Sequence, residues 1–469
     1  MKYDIVIIGA GISGLTLGWY LQKHYGNQIS LKILEKSSRP GGWIRTSSDD
    51  GFLFEQGPRS CRSKGSGIST LRLVESLGLQ NDLIAASKDS LRRYLYFDGK
   101  LQQIPTSLFS FLNSPFTRKI FKALYREWKI PAGKTNDTSI FDFVSRRLGS
   151  DIAETFFDPL VSGIFAGDMR QLSMHSCFPK IYELEQKHGS LLKGAWNSLR
   201  EKSSPSSETA FIKAMQKTPI FSFKRGTETL IQALVKHLTS KLQLECEAIE
   251  VKQEPTGILI QISNGLTYRA DKVFIAIPAS HAAQLLKKSC PDISVQMSSI
   301  PTASVAVVNM GWKTKVLQKK GFGYLIPTQE RERLLGVVWD SSVFPQQNLY
   351  PEETRLTAML GGVLHPNLID LSENEIWALV QSSIRKHLGI ASYPDVIKII
   401  KARKAIPQYI LGHNEKIKSI ETVLEAQFFG HIKLLGNSWH GIGINDCIAE
   451  AERMANNAIK IEKNSKYPY

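Results

Sequence analysis

The sequence predicts an α/β protein of more than one domain, and three observations carry that prediction. Its 469 residues exceed what one hydrophobic core organises. Its N-terminal segment reads as strand, glycine-rich turn, helix and second strand. Its C-terminal segment "HIKLLGNSWHGIGINDCIAEAERMANNAI" again reads as strand, glycine turn and helix, with Asn445 or Asp446 as the expected N-cap. Pieces of one layer at both ends of the chain imply domains that are discontinuous in sequence.

In "YDIVIIGAGISGLTLGWYLQKHYGNQISLKILEKS", Asp4 to Ile8 forms a short apolar strand. Gly9, Gly11 and Gly14 then spell G-x-G-x-x-G at the start of a helix carrying Leu15, Leu17, Tyr20 and Leu21. Gly9 permits the tight turn, Gly11 lets backbone approach a pyrophosphate, and Gly14 lets helix pack on strand. Phosphates beside Ala10, Ile12 and Ser13 would face the positive end of the helix dipole. The second strand ends at Glu35, 21 residues beyond Gly14 and followed by Lys36, where a carboxylate meets ribose hydroxyls. The unit is Rossmann-like, and the acid favours FAD or NAD over NADP.

The next stretch, "RPGGWIRTSSDDGFLFEQGPRS", narrows the choice. A third plain βαβ unit does not follow. Instead Gly41 and Gly42 let backbone lie along a ribityl chain, with Trp43 adjacent and Arg45 as a nearby cation. Asp49-Asp50-Gly51 turns a hairpin whose second arm ends in Gly57, Pro58, Arg59 and Ser60, expected near an isoalloxazine. The cofactor read from this stretch is a flavin.

These residues resemble the oxygen-dependent, FAD-containing protoporphyrinogen oxidases, within the amine oxidase and phytoene desaturase superfamily. Bacterial coproporphyrinogen-oxidising relatives typically carry Lys in place of Trp43, and G-P-D-S-F where this chain has Gly57-Pro58-Arg59-Ser60-Cys61, so the protoporphyrinogen branch is the more similar. "VSGIFAGDMRQLSMHSCFP" (161–179), "GFGYLIP" (321–327), "RLTAMLGG" (355–362) and "AIPQY" (405–409) resemble further family blocks. The resemblance implies a FAD-binding domain from 1–90, 211–300 and 410–469, and an α+β substrate domain from 91–104 and 301–409. A helical, membrane-associated insertion spans 105–210.

It also implies non-covalent FAD, a porphyrinogen substrate, and six-electron oxidation of protoporphyrinogen IX by oxygen with release of hydrogen peroxide, in haem biosynthesis. Arg93 matches the arginine that pairs with a propionate, a contact suited to a planar guanidinium. Gly167, Leu325 and Met359 match pocket positions. Ala248 matches the backbone contact to adenine, and Ile442, Gly443 and Ile444 the helix start facing the flavin pyrimidine. A homodimer is a further implied partner. The alternatives are a coproporphyrinogen III oxidase of the same family, an amine-oxidase-like flavoenzyme, and a non-catalytic FAD-binding scaffold.

The intervening elements follow in order. "LRRYLYFDGKLQQIP" (91–105) is a ribbon turning at Asp98-Gly99, and "REKSSPSSETA" (200–210) a serine-rich surface loop. "FKRGTETLIQALVKHL" is a turn and helix, "KLQLECEAIEVKQE" a strand pair, and "DKVFIAIPAS" (271–280) a buried parallel strand. "PFTRKIFKALYREWKI" (115–130) places Phe116, Ile120, Phe121, Leu124 and Trp128 on one helical side and basic residues on the rest, the pattern of a helix lying in a bilayer surface.

Net charge is +16, from 59 Lys and Arg against 43 Asp and Glu, which suits anionic partners. No nucleic-acid motif accompanies it, so nucleic acid is not expected. Five scattered cysteines without a C-x-x-C pair indicate a reducing compartment and no metal site. Cys447 reads as structural. With a strand beginning at once and no spanning run, the expected location is cytoplasmic, at the inner face of the cell membrane. His175, His188, His413 and His440 read as structural or exposed. No acid–base residue stands out, as suits an enzyme whose cofactor carries the chemistry.

Overall fold

The computed structural model describes residues 2–105, 116–133, 137–200 and 208–465. The 201–207 portion of the serine-rich loop and Pro115 lie outside them.

Alternation in "DIVII" builds the first layer. Ile5 and Ile7 point to one face of the strand Lys2–Ile8 and Val6 and Ile8 to the other, and all four are buried. This strand pairs in parallel with Leu31–Leu34 on one side and Thr267–Ile275 on the other. Leu242–Gln243 extends one edge of the seven-stranded sheet. The far side of Thr267–Ile275 is shared, antiparallel to Gly257–Ile262 along its first half and parallel to Ile432–Leu434 along its last three residues. Helices Ile12–Tyr25, Glu228–Leu238 and Ile444–Ser465 bury Leu15, Leu17, Leu234, Ile448 and Ala451 against the Ile5–Ile7 face.

Two expectations need correction here. The segment 241–254 is not a pair of mutually bonded strands, because Leu242–Gln243 joins Leu31–Leu34 whereas Ala248–Glu254 joins Gly257–Ile262. The buried strand of 271–280 begins earlier, at Thr267, and is parallel to only some of its neighbours.

The second sheet also has seven strands. In order they are Val396–Pro407, Thr302–Trp312, Thr354–Gly361, Leu334–Val338, Gly323–Leu325, Tyr94–Phe97 and Lys100–Gln103. All pairs are antiparallel except Gly323–Leu325 with Tyr94–Phe97. The ribbon 94–103 turns at Asp98 and Gly99, at φ 53° and 68°, a pair of left-handed residues whose twist suits a two-residue hairpin. Helix Glu373–Leu388 covers one face, started by a capping box between Ser372 and Glu375.

The hairpin Thr46–Asp49 and Phe52–Glu55 ties the two sheets together. Arg355 donates to the Leu53 carbonyl at 2.9 Å, Asn309 to the Glu55 carbonyl at 3.2 Å, and Lys398 to Asp49 at 2.9 Å.

Between the sheets in sequence lie the helices Thr117–Lys129, Ile140–Leu148, Asp158–Phe165, Pro179–His188 and Leu191–Arg200, around Phe143, Val144, Val161, Phe165 and Leu172. Arg147 is fully buried among them and donates to Glu127 at 3.1 Å, to Glu185, and to the carbonyls of Ile130 and Gly189. Glu127 also accepts from the Leu191 amide and the Ser190 hydroxyl. A buried carboxylate so completely paired fixes which side of its helix faces inward.

The expected outward stripe is kept in part, with Phe121, Leu124 and Trp128 exposed. Phe116, Ala123 and Glu127 face the core, while Tyr125 is exposed as well. The five apolar residues read as one stripe are split between inside and outside. No helix among the described residues is long and apolar enough to cross a membrane.

Candidate functional site

The dinucleotide turn is shaped by what its glycines exclude. A Cβ at Gly9, where φ is 105°, would lie 2.5 Å from the Ala276 carbonyl oxygen, and one at Gly14 would collide with the Gly9 carbonyl. A Cβ at Gly11 would meet nothing within 4 Å. Two glycines therefore serve packing and the third leaves a free approach to backbone, the division of labour a pyrophosphate site requires.

Around that opening, the Gly41 amide donates to the Ala10 carbonyl at 2.8 Å, and a Cβ at Gly42 would sit 3.5 Å from the Gly11 Cα. Trp43 is 42% exposed beside it. The Glu35 carboxylate accepts from the Ala10 amide at 2.8 Å and the Ser37 amide at 2.9 Å, so it reaches across the turn. Ala248 begins its strand beside Cys246, whose amide donates to the Glu35 carbonyl. Lys36 points away, its Nζ 3.2 Å from His281 Nε2. Ile12 and Ser13 open the helix. The residues present fit a bound dinucleotide.

At the other end of this layer, helix Ile444–Ser465 presents its first-turn amides. It starts earlier than expected. Asn445 and Asp446 are inside the first turn rather than at the cap, because their side chains are engaged sideways. Asn445 bonds Thr70 and the Arg62 carbonyl, and Asp446 accepts from Ser66 at 2.6 Å. Glycine is required just before the helix, since a Cβ at Gly441 (φ 154°) would stand 2.5 Å from the Asp446 Cβ. Tyr409 fixes the approach by accepting from the Gly441 amide at 2.9 Å and donating to the Asn437 carbonyl at 2.6 Å. Its ring stacks on His413, which burial holds near pKa 4 and therefore neutral. Burial pushes the Cys447 thiol up to about 12, leaving it protonated and inert, as expected of a structural cysteine.

Several of the expected substrate positions lie on adjoining elements. Ile442 packs into the cluster that contains Phe165, Leu172 and Phe178, so the glycine turn touches the 161–179 segment. That segment in turn meets the second sheet. Gly163 leaves room for Leu325, whose Cδ2 would lie 2.7 Å from a Cβ there, and Ala166 shares an apolar cluster with Met359. Gly167 packs against Gln408. Leu325 and Met359 are each the half-buried position of an otherwise buried strand. Pairing of Leu95 with Leu325 brings Arg93 beside the start of Gly323–Leu325, where it is exposed and stands over the Phe322 ring at 5.3 Å.

The hairpin end behaves differently. A Cβ at Gly57 would strike the Trp43 carbonyl, so this turn lies against the glycine pair. The Pro58 carbonyl accepts from Thr227, and Ser60 is half-buried next to it. The guanidinium of Arg59 pairs with Asp340 (2.9 Å), which also accepts from Thr357 at 2.7 Å, so any approach of this turn to a cofactor is by backbone.

Glu55, which sequence reasoning passed over, anchors this network. It accepts from the Thr227 amide at 2.7 Å and from the hydroxyls of Thr227 and Thr46. Burial nevertheless raises its carboxyl to about 7, because those donors only partly replace lost hydration. Alternation along Phe52–Glu55 puts it on the Leu53 side, opposite the buried Phe52 and Phe54, so nothing local signals its burial.

Comparison with known proteins agrees with this construction. The family model described as flavin containing amine oxidoreductase matches residues 12–459. Protoporphyrinogen oxidase of Homo sapiens is 34% identical over 483 aligned positions, covering 99% of this chain and all of the human one. Coproporphyrinogen III oxidase of Bacillus subtilis (strain 168) is 30% identical, covering 98% of each. The crystal structure of a candidate protoporphyrinogen oxidase from Exiguobacterium sp. 255-15 superposes with a TM-score of 0.81 at 25% identity, over 98% of this chain and 99% of that one. The chain belongs to the flavin-containing amine oxidoreductase family, and it is a flavin-dependent oxidoreductase.

Proposed function

We propose that this enzyme is a protoporphyrinogen oxidase of haem biosynthesis, holding FAD non-covalently and converting protoporphyrinogen IX and three dioxygen molecules into protoporphyrin IX and three hydrogen peroxide molecules. The observation that supports the reading is that the 161–179 segment packs on both the Gly441–Ile444 turn, through Ile442, and the half-buried strand positions Leu325 and Met359, from which a substrate cleft would be built. A flat, largely apolar macrocycle with acidic side arms suits such a cleft.

In this reading 1–90, 211–300 and 410–469 bind the cofactor, 91–104 and 301–409 bind substrate, and 105–210 rest on the inner face of the cell membrane through the exposed Leu124, Tyr125 and Trp128. Gly9 to Gly14 and Gly42 hold the pyrophosphate, Glu35 the adenosine ribose and Ala248 the adenine. Trp43 and the Gly57–Ser60 turn border the flavin ring. Bound there, FAD supplies a two-electron acceptor that oxygen restores. The amides from Ile442 to Ile444, at the start of helix Ile444–Ser465, favour negative charge where they point. Leu325 and Met359 enclose the macrocycle and exclude water, Gly167 gives it room, and Arg93 pairs with a propionate.

The reading predicts a yellow protein that releases unmodified FAD on acid denaturation. A colourless protein that FAD cannot reconstitute would refute it. The Bacillus subtilis relative keeps coproporphyrinogen III as the second reading.

A further inference from the structure

Arg62, Lys64, Lys180 and Lys217 line an open pocket of about 470 Å³ with Gly65, Thr218 and Pro219. The four cations come from three separate places in the chain. Arg62 ends a short strand and Lys64 follows in the next turn. Lys180 sits in the first turn of Pro179–His188, in the helical region. Lys217 precedes the strand Ile220–Phe223.

Arg62 is shared with Asp446 at 3.6 Å. Among the described residues, Lys64, Lys180 and Lys217 have no carboxylate within ion-pair distance. The backbone also yields to this cluster. Gly65 has φ 64°, and a Cβ there would stand 3.1 Å from Lys180 Nζ, so the glycine admits the ammonium of a different region. Convergent like charges repel one another, and an anion between them removes that repulsion.

We infer that this pocket is a binding site for a compact, multiply charged oxyanion bearing clustered phosphate or carboxylate groups. A single charge could not satisfy cations arriving from three directions. The volume is within the range of small-molecule sites. Occupancy would cross-link the 61–65 turn to the helical region through Lys180.

The test uses the full-length, flavin-loaded protein at low ionic strength and two probes, pyrophosphate and citrate, each titrated calorimetrically. At least one should bind, and more weakly as salt is added. The variant Lys180→Ala/Lys217→Ala should weaken that binding roughly tenfold or more, because each lost ammonium removes a charge-assisted contact. Flavin absorbance and melting temperature should stay at the wild-type values, since both lysines are exposed. A control variant at exposed lysines elsewhere, Lys315→Ala/Lys319→Ala, should bind as wild type. Preference for pyrophosphate assigns a phosphate-bearing ligand, and preference for citrate a carboxylate-bearing one. Absence of binding by either probe overturns the site. So does equal affinity in the pocket variant, or an equal loss in the control.

Discussion

At the scale of single residues, Glu55 contributes to how the stability of the fold depends on pH. Its carboxyl ordinarily titrates at 4.5, and burial raises it to about 7 in the folded chain. A raised folded pKa contributes stability that is complete below the unfolded value and is lost as pH rises through the folded one. Between pH 5 and 8 the loss through this group should be about 2–3 kcal/mol. Glu55→Gln keeps the shape and removes the proton, so the difference in melting temperature between wild type and variant should drift with pH across that window. A constant difference would show that Glu55 does not titrate there. Arg93 poses a different question, because it is exposed and its proposed partner is a substrate carboxylate. Arg93→Ala should raise KM roughly tenfold to a hundredfold, the worth of a charge-assisted pair of ~1.5–3 kcal/mol, and leave kcat nearly intact. Unchanged KM with a collapsed kcat would contradict the assignment. The two residues also differ in legibility. Arg93 stands in a ribbon that pattern and turn chemistry identify. Glu55 looks like a solvated strand end until Thr227, far away in sequence, arrives to cover it.

At the scale of elements, helix Thr117–Lys129 shows what periodicity can and cannot give. Its spacing announces a basic amphipathic helix, and the helix is there. Which side faces inward was not legible, because any amphipathic reading assigns Glu127 to water. The structure buries Glu127 against Arg147, which comes from another helix. The consequence is an outward group of Phe121, Leu124, Tyr125 and Trp128 among lysines and arginines, which suits the proposed membrane contact. Leu124→Glu/Trp128→Glu should abolish sedimentation with anionic vesicles at low salt and leave flavin content and melting temperature unchanged. Vesicle binding equal to wild type would remove this helix from the membrane contact. Glu127→Ala makes the converse test. It leaves Arg147 with Glu185 as its remaining carboxylate and takes the acceptor from the Ser190 hydroxyl and Leu191 amide, so it should destabilise the helical region by about 1–3 kcal/mol, seen as early loss of helicity on heating. Melting like the wild type would show the ion pair to be dispensable.

At the scale of the whole molecule, the cofactor-binding layer was legible because glycine spacing encodes backbone proximity directly: Gly9 and Gly14 are packed, and Gly11 is open. The second sheet was far less so. Its ribbon 94–103 joins strands more than 200 residues later in the chain, through the parallel pairing of Leu95 with Leu325, and nothing local announces that register. Turn and helix signals likewise placed the end of the chain correctly but not its cap, since the sideways bonds of Asn445 and Asp446 depend on Thr70 and Ser66. The 161–179 segment packs on both the glycine turn and the second sheet, and the central claim is that a porphyrinogen reduces a flavin where they meet. Anaerobic mixing of the purified enzyme with protoporphyrinogen IX, and separately with coproporphyrinogen III, tests that claim most directly. Bleaching of the flavin absorbance by protoporphyrinogen, at three flavins per macrocycle and faster than by coproporphyrinogen, is the predicted result. A flavin that stays oxidised with both substrates, or that is reduced by coproporphyrinogen alone, would contradict it.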